Sequence, residues 1–475
     1  MSRHGRVVAA ASLFGVAQLI IIFAGFADNG ALCDDAFYYF QIAKNAAHGL
    51  GFSFDGVYAT NGFHPLLAWL AVPVFAWFDS PWIPIHLILA LLALATAATG
   101  YVLFRIGRAL GSERAGELMA VFFLLSPFTW IIPLRGCEGG SSVLCIALVV
   151  LQCARMREPD THSTALLGVL VGLAGLARTE NVLLGVGAFT WLMLHTRRPR
   201  HLLAFAGAAL VIVSPWVIWN LEQFGTIVQV SGAAKTQFHL YHPLRGYLLV
   251  PYEMLAHSVQ FVAGEEFQPR RRTLVLAIVT LVLVALAVAS GGKRRPPGAL
   301  LPVAIFVGLH VAFYGYIQRS YFNWYVMPVV FGVAILQGER LSQAPRRIVV
   351  ALLLAAAVQS AITLALFADH YPRWPEASER RIEGRLSAIS ALPPRSRVAG
   401  WNVGALGYFA AIRRPDITVY NLDCVVNNEL FAAWRRGEYM QWIRDRVDWL
   451  VEHPQGHFDS SAVERDGELW RVRPK

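Results

Sequence analysis

Cys33-Asp34-Asp35-Ala36-Phe37-Tyr38-Tyr39-Phe40-Gln41-Ile42-Ala43-Lys44-Asn45 follows closely on an apolar run at residues 7 to 26. That run is near the length that crosses a bilayer, about 20 residues at about 1.5 Å each. Two adjacent carboxylates therefore stand at the mouth of a membrane helix and lead into an aromatic, helix-forming stretch. Arg3 and Arg6 precede the run and no small-residue cleavage site ends it, which predicts a retained helix and not a cleaved signal. Acids at a helix start can act as caps, where the dipole and the free N–H groups favour negative charge. The functional reading is a general base, or a pair suited to a divalent cation, held near the membrane surface. It gains weight from the rest of the chain.

Of 475 residues 56% are apolar and 15% charged, which excludes an ordinary soluble protein of this size. The net charge of +10 is unevenly placed: residues 1 to 368 carry 25 basic and 16 acidic side chains, residues 369 to 475 carry 16 and 15. A membrane body followed by a charged, near-neutral soluble domain fits this split. The basic residues lie in short clusters between apolar runs and form no interleaved patch, so no nucleic-acid partner is expected.

Further apolar runs at about 82–104, 117–133, 141–154, 164–177, 181–196, 202–220, 273–290, 299–316, 325–338 and 347–368 bring the expected crossings to about eleven. Pro65 to Phe78 is too short to cross and reads as a half-span or juxtamembrane helix. With a cytoplasmic N-terminus, 16 of the 25 Lys and Arg before residue 369 fall on the cytoplasmic side, as the positive-inside rule requires. Outer loops at 27–64 and 221–272, and the C-terminal domain, then lie outside the cytoplasm of a multi-pass plasma (inner) membrane protein. The cysteines Cys33, Cys137, Cys145, Cys153 and Cys424 show no metal-type spacing.

The outer loops carry the polar residues. Asn61-Gly62-Phe63-His64-Pro65-Leu66 returns the chain to the membrane through a turn, and His64 in the same loop as Asp34 and Asp35 suits a role at a phosphate. Arg135 and Glu138, Arg178 and Glu180, and Arg319 to Tyr325 are charges between apolar helices. A charge at bilayer depth costs about 2.5–3.5 kcal/mol, so such residues face a wet cavity or pair with one another. Arg178 with Glu180, or Arg135 with Glu138, would satisfy that need as structural ion pairs; their common side instead suggests one polar cavity opening outward. Lys235, in a chain with only four lysines, sits among small residues and suits a phosphate contact.

Together these residues resemble the GT-C superfamily of membrane glycosyltransferases, which includes protein mannosyltransferases, lipid A aminoarabinose transferases and mycobacterial arabinofuranosyltransferases. The resemblance rests on Asp34-Asp35, Asn61 to Leu66, Gly136-Cys137-Glu138, Leu176 to Glu180, and Arg319 to Tyr325 with Met327-Pro328, and spans most of residues 1 to 340. Cys137 stands where Met or Leu is more usual and Thr179 where Pro is common. The resemblance implies a polytopic α-helical membrane fold and a sugar donor on polyprenyl phosphate. It also implies an inverting transfer to a hydroxyl of a glycan, lipid or protein acceptor. By the superfamily pattern Asp34 is the base and Asp35 orients it, contacts acceptor or helps hold a divalent ion, the one cofactor considered. His64, Arg178, Lys235 and Arg319 are the phosphate candidates; Tyr38, Asn61, Glu138, Glu180 and Tyr325 would bind or orient substrate.

Residues 369–475 read as an extracytoplasmic α/β domain, with strands at 396–400, 417–420 and 447–451 and a helix from Gly404 to Ala411. Gly400, Gly404 and Gly407 lack the spacing of a dinucleotide loop and read as turn and packing glycines. A flippase or transporter of lipid-linked sugars is the competing function, since transporters also place charges within helical bundles. Against it, the polar residues cluster on one side and inverted repeats are not evident. A purely structural membrane protein would leave the acidic pair unexplained.

Overall fold

The computed structural model describes residues 2–25, 31–237, 298–318, 322–373, 379–452 and 463–473. The chain forms two compact units. One comprises Met1–Ala24, Leu89–Pro215 and His239–Asp369; the other comprises Gly25–Ile88, Trp216–Phe238 and His370–Lys475.

The first unit is helical. Among the described residues, Arg3–Phe23, Ile83–Ala109, Pro199–Phe224, Gly298–Gln318 and Arg346–Asp369 are long and apolar enough to cross a membrane. Leu13, Leu203, Leu210 and Val211 on these helices are more than 60% exposed, a surface that lipid and not water would cover. The apolar run expected as one crossing at 117–133 is instead two helices, Glu113–Leu125 and Pro127–Leu134, bent by 54°. Pro127 explains the break: it lacks an N–H and forces Ser126 into extended backbone, at φ −64° and ψ 130°. Gly139–Arg155, Thr161–Ala177, Val182–His195 and Met327–Leu341 occupy the other expected runs as shorter helices. The run at 273–290 lies outside the described residues, so the described spans number five, or six with the bent pair, beside the eleven expected.

The second unit joins three stretches of sequence. Helices Asp34–Ala47 and Pro65–Trp77 come from the first loop and Val230–Gln237 from the second; the C-terminal residues supply a five-stranded sheet. Its strands are β1 (Arg397–Gly400), β2 (Thr418–Asn421), β3 (Trp449–Leu450), β4 (Val463–Asp466) and β5 (Leu469–Val472), in the order β2-β1-β3-β5-β4. β1 runs parallel to β2 and β3, with Val398 opposite Val419 and Trp449. β5 runs antiparallel to β3 and β4. A parallel β1–β2 pair needs a crossover, and the helix Gly404–Arg413 supplies it. Three of four residues in both strands are buried, as expected for strands covered on both faces. Ala399, Tyr420, Leu430, Trp442, Ile443 and Leu450 form a core that also takes in Val230 and Ala234.

Candidate active site

The helix Asp34–Ala47 begins after Cys33, whose extended backbone (φ −82°, ψ 156°) makes no side-chain cap. Asp34 and Asp35 in its first turn and Lys44 in its last complement the helix dipole. Every residue from Ala36 to Ala43 is buried, so the helix is anchored on all sides and presents its two acids from a fixed base.

Asp34 caps a helix other than its own. Its Oδ2 accepts from the backbone N–H of Gly404 at 2.8 Å and its Oδ1 from that of Ala405 at 2.9 Å. These are orphan donors at the start of the helix Gly404–Arg413, where Val403 offers no side-chain cap. A Cβ on residue 404 would lie 2.2 Å from the Asp34 backbone oxygen, so only glycine permits the approach. Asp34 keeps a little accessible surface but lies deep in protein, and this loss of hydration lifts its carboxyl to about 7. The two N–H bonds oppose that rise, and the nearby charges of Asp35 and Asp423 add to it.

Asp35 points to a different partner. Its Oδ2 lies 3.1 Å from the Lys235 ammonium, and the two side chains are 31% and 19% exposed. Tyr38, one turn further on, accepts from Asn421 Nδ2 at 2.8 Å and donates to Asp423 Oδ2 at 3.4 Å. Asp423 also accepts from the N–H groups of Asn402 and Val425, both at 3.2 Å. Asn402 and Cys424 adopt left-handed backbone (φ 49° and 65°) beside it, a conformation that cysteine seldom takes. Burial raises the Asp423 carboxyl and the Tyr38 phenol above their usual ranges.

Asn61, expected to orient substrate, is wholly buried and its side chain is engaged four ways. Nδ2 donates to Asn220 Oδ1 at 2.6 Å and to the Val228 carbonyl at 3.2 Å; Oδ1 accepts from Val230 N–H at 2.9 Å and from Asn428 Nδ2 at 3.0 Å. It ties the first loop to the second and to the C-terminal residues. His64 is half-buried at the start of the helix Pro65–Trp77, with its backbone N–H donating to the Tyr39 hydroxyl at 3.3 Å.

A separate cluster lies in the first unit. The Arg178 guanidinium pairs with both Glu138 and Glu180 and donates to the Tyr314 hydroxyl at 3.0 Å. All three ionic side chains are at most 6% exposed. Tyr314 donates to Glu180 and stacks on Tyr325 at 4.3 Å, and Arg178 lies 4.8 Å from the Tyr325 ring centroid. The Arg178–Glu180 pair offered by the sequence is present, and Glu138 joins it. Arg135 lies over the Trp324 ring at 6.0 Å. Arg319 lies outside the described residues.

The acidic pair does not fit a divalent cation. Both Asp34 oxygens already accept N–H groups, Asp35 faces an ammonium, and no group of three His, Cys, Asp or Glu side chains among the described residues is arranged to hold a metal.

Residues 63–219 match the family model described as dolichyl-phosphate-mannose-protein mannosyltransferase. The fold is similar to that of ArnT from Cupriavidus metallidurans bound to undecaprenyl phosphate: TM-score 0.59, 15% identity, covering 90% of this chain and 88% of that one. This chain has the fold of ArnT. The Archaeoglobus fulgidus oligosaccharyltransferase in its apo form gives a TM-score of 0.54 at 14% identity, over 95% of this chain and 69% of that one. The Archaeoglobus fulgidus oligosaccharyltransferase AglB, in complex with an inhibitory peptide and a dolichol-phosphate, gives 0.53 at 12%, over 94% and 69%. No curated protein matches the chain by sequence.

The match at 63–219 takes in His64, Glu138, Arg178 and Glu180 and leaves out Asp34, Asp35 and Lys235. Sequence reasoning brings forward the acids and the lysine but misses Asp423, Asn421, Gly404 and Tyr314. Asp423 reads as one loop acid among the 15 of the C-terminal region, and only its place just past a strand end marks it. Tyr314 is an aromatic in an apolar run with no sequence neighbour to betray its hydroxyl.

Proposed function

We propose that this protein is a glycosyltransferase of the GT-C type that moves a sugar from a polyprenyl-phosphate donor to a hydroxyl of a cell-envelope glycan, lipid or protein. The observation that carries the reading is the placement of the Lys235 ammonium 3.1 Å from Asp35, beside a second acid. A proton acceptor and an anion-binding cation stand side by side, which is what displacement of a phosphate by an alcohol needs. ArnT bound to undecaprenyl phosphate and AglB in complex with a dolichol-phosphate support the same class of donor here.

In this mechanism the acidic pair takes the proton of the acceptor hydroxyl. The acceptor oxygen bonds to the anomeric carbon as the bond from that carbon to the phosphate oxygen breaks. Its electron pair leaves with the polyprenyl phosphate, held by Lys235 with His64 as a further contact. Attack opposite the leaving group inverts the anomeric centre, and no second carboxylate nucleophile or metal is required. Arg178 is already balanced by Glu138 and Glu180, so the first claim on the phosphate passes from Arg178 to Lys235. Tyr38 orients substrate, and Asn61 holds the loops that carry the site. The Lys and Arg distribution supports a cytoplasmic N-terminus, with the acidic pair and the C-terminal residues on the extracytoplasmic face.

The test is incubation of purified protein with a panel of polyprenyl-phosphate sugars. Consumption of one donor with release of free polyprenyl phosphate, and opposite anomeric configuration in the product, supports the reading. Movement of labelled lipid across sealed vesicles with no new glycosidic bond would replace it with a flippase.

A further inference from the structure

We propose that the groove between the helices Arg3–Phe23 and Ile83–Ala109 binds an anionic glycerophospholipid, with an acyl chain along the groove and the phosphate at Tyr101 and Arg105. The site is separate from the acidic pair and stands whether or not the protein transfers sugar.

The two helices run antiparallel. A Cβ on Gly15 would lie 3.6 Å from that of Ala97, while at the other end the rings of His4 and Tyr101 meet with centroids 5.9 Å apart. Between these contacts the helices leave a groove of about 510 Å³, inside the range of about 300–1,000 Å³ that holds a small molecule. Ala11, Gly15 and Ala97 form its buried floor, and Val8, Val16 and Leu94, 40–53% exposed, form its lips. From Val8 to Leu19 the helix rises about 16 Å, close to the roughly 15 Å of one bilayer leaflet. An acyl chain of one leaflet therefore matches the groove in length and in polarity.

One end of the groove is polar. Tyr101 lines it, and Arg105, one turn further on, donates to the Tyr101 hydroxyl at 3.2 Å and lies 5.8 Å from its ring centroid. Residues 2–8 and 101–117, which meet here, hold five arginines and two acids. Arg3 and Arg6 share Glu117, Arg108 pairs with Glu113, and Arg114 donates to the Ala344 carbonyl at 2.8 Å. Arg105 is half-buried and makes no ion pair among the described residues, so its planar fork has donors left for a phosphate. The Lys and Arg distribution assigns this end to the cytoplasmic side, at the depth where lipid headgroups lie. Surplus positive charge there attracts an anionic headgroup more than a zwitterionic one. A second copy of the chain, inserted in the same orientation, would bring another basic end to the same depth, so charge favours the lipid over a dimer.

The experiment uses the full chain in nanodiscs of phosphatidylcholine, into which phosphatidylglycerol with the same acyl chains is titrated. Native mass spectrometry reads the lipid retained on release from the disc. Wild type is expected to keep one phosphatidylglycerol in preference to phosphatidylcholine, and its melting midpoint should rise with the phosphatidylglycerol fraction. Arg105→Gln should weaken that retention about fivefold, the effect of one basic residue near an anionic headgroup. Arg197→Gln, at an exposed arginine away from the groove, should leave it unchanged. Ser12→Phe, at an exposed position lining the groove, should block the acyl seat and lower retention while the midpoint in lipid-free detergent stays at the wild-type value. The proposal is overturned if phosphatidylcholine is retained as well as phosphatidylglycerol. It is equally overturned if Ser12→Phe holds phosphatidylglycerol as wild type does. A dimer that keeps no lipid and that Ser12→Phe dissolves would put a second copy in the groove instead.

Discussion

Gly62 lies so close to Val425 that a Cβ on residue 62 would stand 2.0 Å from the Val425 carbonyl oxygen. The obstacle is backbone and cannot rotate aside. Gly62→Ala should therefore push the first loop away from the C-terminal residues, at a cost of about 1–3 kcal/mol. A lowered thermal midpoint for purified protein checks this. An unchanged midpoint would mean that the two segments separate without penalty.

Asn61, next in the chain, joins Asn220, Val228, Val230 and Asn428. Asn61→Ala leaves several buried polar groups without partners, each costing about 1–3 kcal/mol. Asn61→Asp keeps the acceptors but places an oxygen against Asn220 Oδ1. Both variants should melt well below wild type, and Asn61→Asp paired with an Asn220 that presents its amide should recover part of the loss. A variant that loses only donor affinity, with its midpoint intact, would return Asn61 to substrate contact.

The acidic pair and the Asn61-Gly62 turn were legible in sequence because each is a local pattern beside a hydrophobic run, and burial of the flanking residues enforces it. Their partners were not legible. Gly404 is 370 residues from Asp34, and nothing in a string of residues says which of several glycines a distant carboxylate will need. Arg178 reads as the partner of Glu180, its near neighbour in sequence, while its second carboxylate, Glu138, comes from 40 residues away. Pro127 is visible within its apolar run, but hydrophobicity continues across it, so the run reads as one span where the backbone makes two. Asn61 shows its turn and hides its hydrogen-bonding role, since four partners arrive from three distant segments.

Arg178 balances two carboxylates at a site almost closed to solvent. Arg178→Ala leaves Glu138 and Glu180 buried without their cation, and breaking such a pair costs about 3–5 kcal/mol. Arg178→Lys retains charge but lacks the planar fork that reaches Glu138, Glu180 and Tyr314 together, so it should recover only part of the loss. Removing the acids along with the cation, as Arg178→Gln with Glu138→Gln and Glu180→Gln, should restore much of the midpoint. If the triple variant folds and still turns over donor, the cluster is structural; if it folds and donor KM rises steeply, Arg178 also meets the phosphate.

Asp34 makes stability depend on pH in a defined direction. Burial raises its carboxyl from 3.8 to about 7, against the pull of the Ala405 and Gly404 N–H bonds. The folded protein thus holds a proton that the unfolded chain releases sooner. The associated stability is fully present below about pH 3.8 and is lost as pH rises through about 7. Asp423 is raised as well and titrates in the wild type and in any Asp34 variant, so the comparison must be between those two proteins. The midpoint of wild type minus that of Asp34→Asn should fall steadily between about pH 4 and pH 8. A difference that stays level across this range would mean that Asp34 is as well hydrated in the folded chain as in the unfolded one. A difference that grows with pH would mean that the two N–H bonds outweigh burial and hold the carboxylate ionised.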